Sequence, residues 1–189
     1  MEDRLTDDER ALLLKLARQA LEDAVQGKAL PPIDLQTLPP RLRERGASFI
    51  TLTRRGELRG CIGALEPFIS LAEDVREHAM AAALQDYRFP PVRAAELPEI
   101  RIEISRLTLP QTLEYEVPSD LAGCLHPNVD GVILREGMHR ATFLPQVWEK
   151  LPDPEVFLCH LCQKMGAPPD LWRYRKLQVQ TYQVEEFHE

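Results

Sequence analysis

Apolar residues recur at helical spacing near the start of the chain, where Leu13, Leu16, Ala17, Ala20, Leu21 and Ala24 fall on one stripe. Thr6 with Glu9 makes a capping box ahead of the stripe and Gly27 a left-handed stop behind it, which predicts a helix over 7–26. The next segment, ALPPIDLQTLPP at 29–40, carries prolines that resist regular structure, while Leu30, Ile33, Leu35 and Leu38 predict that it lies against the body. Two β-prone runs, SFITLT and ELRGCIGAL, flank Arg54, Arg55 and Gly56 and predict a hairpin over 48–63. Ser70 with Glu73 opens a second capped helix to about Leu84. Its inner face is Ala72, Ala79, Ala82 and Ala83, small enough for a sheet to approach closely. DYRFPP at 86–91 ends it, because proline bars continuation and holds the residue before it extended.

In the second half, IRIEISRLT at 100–108 alternates, with Ile100, Ile102 and Ile104 on one face and Arg101, Glu103 and Ser105 on the other. VILRE and HRATFL around Gly137 predict a second hairpin over 132–144. Asp153, Pro154 and Glu155 open a third helix to about Met165, closed by Gly166, and LQVQTYQVEEF at 177–187 predicts one final strand. Adjacent hairpins in this order predict an α/β fold of the α+β type, a mainly antiparallel or mixed β-sheet with flanking helices. A chain of 189 residues suffices for one well-filled core, so 1–189 reads as one domain, with two closely packed subdomains as the other arrangement of that length.

Composition narrows the function classes by exclusion. A formal charge of −7 with a pI near 5.3 repels phosphate backbones, so nucleic-acid contact needs a local basic patch. RLRER at 41–45 and RYRK at 173–176 are the dense basic clusters, and both are interleaved with apolar residues as solvated faces often are. Nucleic-acid binding is therefore the weakest of the readings kept. The N-terminal MEDRLTDDER is acidic, and no apolar run approaches the roughly 18 residues that span a bilayer, so a soluble cytoplasmic protein with no membrane partner is expected. Four cysteines are too sparse for a disulfide framework and read as reduced thiols.

The candidate chemistry centres on LRGCIG at 58–63. Period two puts Leu58, Gly60 and Ile62 on one face and Arg59, Cys61 and Gly63 on the other, with Arg59 and Cys61 about 7 Å apart along the strand. A cation there favours thiolate, and flanking glycines leave the sulfur open to approach. The competing reading makes Gly60 and Gly63 a bulge or packing contact and Cys61 a small buried residue. Cys159 and Cys162 form a CxxC inside a predicted helix, without the further ligands zinc requires, and read as core. His160 and Lys164 share the opposite arc of that helix, either as a solvated face or, if a cleft lies there, with Lys164 as an anion contact. Glu103 on a central strand needs a partner or a raised pKa, with Arg59 or Arg88 the natural partner. No Ser-His-Asp order, Walker loop, GxGxxG or HExxH occurs, and neither a cofactor nor a metal is expected.

LRGCIG, DYRF, IRIEIS, the DGVIL to TFLPQVW segment, and KMG followed by LW together resemble the AMMECR-one domain family, known in prokaryotes as AmmeMemoRadiSam system protein A. The resemblance spans about Leu12 to Glu186. Met165 departs from it, standing where a KAG-like pattern has alanine. The resemblance implies a sheet with flanking helices in two closely joined subdomains. It also implies partners: a Memo-type protein, a radical S-adenosylmethionine enzyme, and an unknown small-molecule or protein substrate. Carried over by position, it points to Arg59, Gly60, Cys61, Gly63, Asp86, Arg88, Phe89, Glu103, Ser105, Pro145, Gln146 and Lys164. Cys61, Arg59, Glu103 and Lys164 are then the candidate catalytic set. The remainder are candidate binding residues, either for a substrate or for a partner docked on a glycine-lined surface.

Overall fold

The computed structural model describes residues 4–189. Its first elements are α1 (Asp7–Val25), α2 (Pro40–Arg43), β1 (Ala47–Arg54), β2 (Glu57–Gly63), α3 (Leu71–Leu84) and β3 (Ile100–Leu107). There follow β4 (Gln111–Thr112), α4 (Leu121–Cys124), β5 (Gly131–Glu136), β6 (His139–Phe143), α5 (Pro154–Lys164), α6 (Leu171–Tyr174), β7 (Gln178–Tyr182) and β8 (Val184–His188). They form two compact units, one made of the chain up to Thr108 with Glu185–Glu189, the other of Leu109–Val184.

The first unit carries a four-stranded sheet in the order β2-β1-β3-β8, with β1 antiparallel to both β2 and β3. Both expected capping boxes form, at Thr6/Glu9 and Ser70/Glu73, and Gly27 adopts φ +71° beyond α1. The first hairpin turns through Arg55 and Gly56 at φ 55° and 82°, the left-handed pair that matches strand twist. Ile50, Leu52, Ile102 and Ile104 point to one face of the sheet and join Leu13, Ala17 and Leu21 of α1 and Ala72, Val75, Ala79 and Ala82 of α3 in one buried cluster. Burying each larger aliphatic side chain contributes about 1.5–3 kcal/mol. The alanines let α3 approach so closely that a Cβ at Gly60 would overlap the carbonyl of Ala82. Ser48 ties β1 to α3 by donating to the buried Asp74 at 2.6 Å.

The second unit carries a sheet in the order β4-β7-β5-β6 over an aromatic core. Trp148 stacks on Phe157 with centroids 3.7 Å apart, and Phe143 meets Phe157 edge-on at 5.3 Å. The Trp148 indole donates to the Asp130 carbonyl at 2.7 Å. Tyr115 donates to the Leu177 carbonyl and accepts from the Leu177 amide, so both large polar tips are satisfied within the core. The third helix begins as expected, Asp153 accepting from the amides of Glu155 and Val156 with Pro154 behind it.

The expected single last strand is two strands in two sheets. β7 belongs to the second unit and β8 to the first, with the break at Gln183. The burial phase shows why: Leu177 and Val179 are buried, then the alternation slips and Tyr182, Glu185 and Phe187 are the buried positions. Glu185 is no core intruder, for its carboxylate accepts from Arg10 at 2.6 and 3.1 Å, from Arg106 at 3.5 Å and from the Leu5 amide at 3.3 Å. Among the described residues no helix is long and apolar enough to cross a membrane.

Candidate active-site face

The hairpin register decides what Cys61 faces. From the two-residue turn, Arg54 pairs with Glu57 and Thr53 with Leu58, but Leu52 then pairs with Gly60 and Thr51 with Cys61. Arg59 is the extra residue of a β-bulge. Had pairing continued unbroken, Cys61 would oppose Ile50 and point into the aliphatic core, since a one-residue slip flips every side chain. The bulge also corrects the simple alternation: Leu58, opposite Thr53, lies on the same face as Cys61 and is 44% exposed.

On that face, β1 and β3 pair Thr51 with Glu103, so Cys61, Thr51 and Glu103 form one row across three strands. The next row is Gly63, Phe49 and Ser105. Thr51 donates its hydroxyl to the Cys61 sulfur at 3.4 Å. Cys61 is half-buried, as is Glu103, and among the described residues nothing hydrogen-bonds or ion-pairs with the Glu103 carboxylate. Two strand spacings separate Cys61 from Glu103, about 10 Å between backbones, enough for a small group to lie between sulfur and carboxylate. Helices α1 and α3 pack on the opposite face, through the isoleucines and leucines.

The outer edge of β2 is clamped. Asp86 accepts the Cys61 amide at 2.9 Å, and Arg88 donates to the Cys61 carbonyl at 3.2 Å. Arg88 also grips Asp86 with two parallel bonds, 2.9 and 2.7 Å. Those bonds hold the Asp86 carboxyl well below the usual carboxylate range against the opposing effect of burial, and hold Arg88 above its own. The clamp satisfies an edge that would otherwise offer free backbone groups, and fixes residue 61 through its main chain alone. Phe89 follows, its amide bonded to the Asp86 carbonyl and its ring under the Arg88 guanidinium at 5.5 Å.

Arg59 does not turn toward the thiol. Its guanidinium makes a two-bond pair with Glu96, 3.0 and 3.1 Å, and donates to the Pro90 carbonyl at 2.9 Å. Those hydrogen bonds bring Glu96 down to about 2. The expected partnership of Glu103 with Arg59 or Arg88 is thus replaced, because each arginine reaches a carboxylate beside the loop that follows α3. Nor do the glycines leave open space. A Cβ at Gly63 would overlap the Phe49 ring and the Ser48 carbonyl, and Gly60 is occupied by α3 as described.

Lys164, Pro145 and Gln146 belong to the second unit. The Lys164 ammonium donates to the Thr142 carbonyl at 2.9 Å and lies 5.0 Å from the Phe143 ring centroid. Pro145 is buried at the first position of a 3-10 turn, and Gln146 beside it is exposed. Cys162 is a core residue, its thiol pushed up by burial, and Cys159 at the core edge accepts from the Trp172 indole at 3.5 Å. Of the basic clusters, Arg173 pairs with Glu155 and Arg175 with Glu136, each at 2.5 Å. Thr51 is the residue of this face that sequence reasoning missed. Its signal is faint, since counting back from the turn places it opposite Gly60 unless the bulge is known.

The chain matches the AMMECR1 family over residues 14–187. A protein of Methanothermobacter thermautotrophicus is 41% identical over 98% of this chain and 96% of its own. A Thermofilum pendens protein is 39% identical, covering 98% of this chain and 92% of its own. The crystal structure of the uncharacterised protein PH0010 from Pyrococcus horikoshii shares 34% identity at a TM-score of 0.76, covering 98% of this chain and 93% of that one. The chain belongs to the AMMECR1 family.

Proposed function

We propose that this protein is an enzyme, or the substrate-handling component of one, whose working group is the Cys61 thiol. The observation that carries this reading is the bulge at Arg59, which turns Cys61 out of the core and into a row with Thr51 and with Glu103, whose carboxylate has no partner among the described residues. Cys61 is the nucleophile or covalent attachment point. Thr51 orients the sulfur, and Glu103, too far away to contact it directly, exchanges a proton or holds a charge at the other end of the bound group. Arg59 and Lys164 are positioning residues, one bracing the hairpin through Glu96 and the other bracing β6 through Thr142. The reading places the reaction in the cytoplasm, from the acidic N-terminal sequence and the lack of a long apolar run, and gives it the partners the family resemblance implies, a Memo-type protein and a radical S-adenosylmethionine enzyme. The test is the pH dependence of Cys61 alkylation by iodoacetamide, together with Cys61→Ser and Glu103→Gln in a reconstituted pathway. A thiolate pKa below about 8.5 and loss of activity in both variants support the assignment. A value at or above it with full activity in Cys61→Ser overturns the nucleophile.

A second reading, a partner-docking module without chemistry, is favoured by the clamp, which holds only the backbone of residue 61 and is blind to its thiol. The docking surface is then not the glycines, which are packed, but the exposed Leu58 and Tyr87 beside them. This reading predicts that Cys61→Ser is tolerated while Leu58→Glu or Tyr87→Ala abolishes co-purification with the Memo-type protein.

A further inference from the structure

A cleft of about 520 Å³ opens beside the bulge, lined by Arg54, Arg59, Phe89, Pro90, Arg93, Ala95 and Glu96. Its volume lies within the range of small-molecule sites. Three arginines face one glutamate in its lining, a local excess of positive charge in a protein whose net charge is −7. Arg59 gives three bonds, two to Glu96 and one to Pro90, while Arg54 gives one bond to Glu96 and one to Glu99, leaving three of its five N–H donors. Arg93 is exposed, and among the described residues nothing hydrogen-bonds or ion-pairs with its guanidinium. Arg54 and Arg93 are therefore the cations of the cleft with most donors to spare, Arg54 held by Glu96 and Glu99 and the Arg93 backbone by Glu96. The rest of its lining is apolar: Phe89, Pro90 and Ala95.

We propose that this cleft binds a small organic phosphate monoester carrying a planar group, the phosphate on Arg54 and Arg93 and the planar group against Phe89. With Arg55, which shares Glu99 with Arg54, four arginines stand against Glu96 and Glu99; a dianion matches that surplus of two charges, and guanidinium edges suit phosphate oxygens in paired geometry. Phe89 and Pro90 supply the stacking and apolar surface that inorganic phosphate cannot use. The site is separate from the thiol row and stands whether or not Cys61 reacts.

The experiment is isothermal titration of the full chain with AMP, adenosine and pyrophosphate, repeated for Arg93→Glu and Phe89→Ala. Among the described residues no hydrogen bond or ion pair involves the Arg93 guanidinium, so its variant should retain the wild-type unfolding transition. The expected result is AMP binding with a Kd below about 1 mM, at least about tenfold weaker binding of adenosine, and at least about tenfold loss in Arg93→Glu. Phe89→Ala should weaken AMP more than pyrophosphate in the same preparation. Absence of AMP binding, equal binding of adenosine, or an unchanged Kd in Arg93→Glu overturns the phosphate site. Equal losses of AMP and pyrophosphate in Phe89→Ala overturn the planar-group assignment.

Discussion

The two units are each built on a four-stranded sheet and differ in what fills the core. The second unit uses Trp148, Phe157, Phe143 and Tyr115, large rings whose polar tips find partners within the same unit. The first uses aliphatics against an alanine-faced helix, and its aromatic Phe49 lies on the opposite side of the sheet. Small residues permit a close approach of α3 to β2, and that approach leaves the second face of the sheet to Cys61, Thr51 and Glu103. The difference teaches where function can reside. Among the described residues the carboxylate of Glu103, on the face of the aliphatic unit's sheet away from α1 and α3, has no hydrogen-bond or ion-pair partner, while the candidate residues of the aromatic unit, Lys164 and Pro145, are engaged within that unit.

The largest expected effect breaks the aromatic unit. Trp148→Ala removes the stack on Phe157 and the bond to the Asp130 carbonyl, and should cost about 3–5 kcal/mol in denaturant unfolding. A loss below about 1 kcal/mol would show that the rings do not carry that core. In the first unit, Asp86→Ala removes the clamp and leaves the Cys61 amide and Arg88 without their acceptor. A cost of about 1.5–3 kcal/mol is expected, since the bonds involved are charge-assisted. Gly60→Ala forces a methyl against the Ala82 carbonyl, a backbone atom that cannot rotate away, and should cost about 1–3 kcal/mol. If Gly60→Ala is neutral, α3 is not seated on β2 as described.

Acid should act on the first unit through the same carboxylates. Asp86 and Glu96 both titrate lower in the folded chain than in the unfolded one, so their stabilisation is present above the ordinary carboxylate range. For Glu96 it is lost as pH falls from about 4.5 to about 2. Urea midpoints measured across this interval should fall less steeply in Glu96→Gln than in the wild type, and an identical slope would count against the pairing with Arg59. The smallest effect is Cys61→Ser, which should change stability by less than about 0.5 kcal/mol because Asp86 and Arg88 hold only its backbone. A larger loss would make the thiol a packing residue and weaken its claim to chemistry.

Helix boundaries, both hairpins and the isoleucine face of β3 were legible because each is written in residues a few positions apart: Thr6 with Glu9, Ser70 with Glu73, Gly56 in a turn, Ile at 100, 102 and 104. LRGCIG and DYRF were legible too as parts of the family pattern, and the match over residues 14–187 bears the family out. What their residues touch was not. Arg59 finds Glu96 across 37 residues, and Glu103 meets Thr51 only through the β1–β3 register, which no local signal states. The break of the last strand left a trace in the apolar phase between Val179 and Tyr182, readable once the two sheets are known.

By itself, then, the sequence determined the elements, their amphipathic faces and the presence of a cysteine between two glycines, because propensity, capping and periodicity act over a few residues. The tertiary structure decided the face to which that cysteine points. A single extra residue at Arg59, tied down by Glu96 and Pro90, shifts the register by one and turns Cys61 from the core toward Thr51 and Glu103. In a strand with period two, one residue of slip is the whole difference between a thiol in the aliphatic core and a half-buried one on the other face.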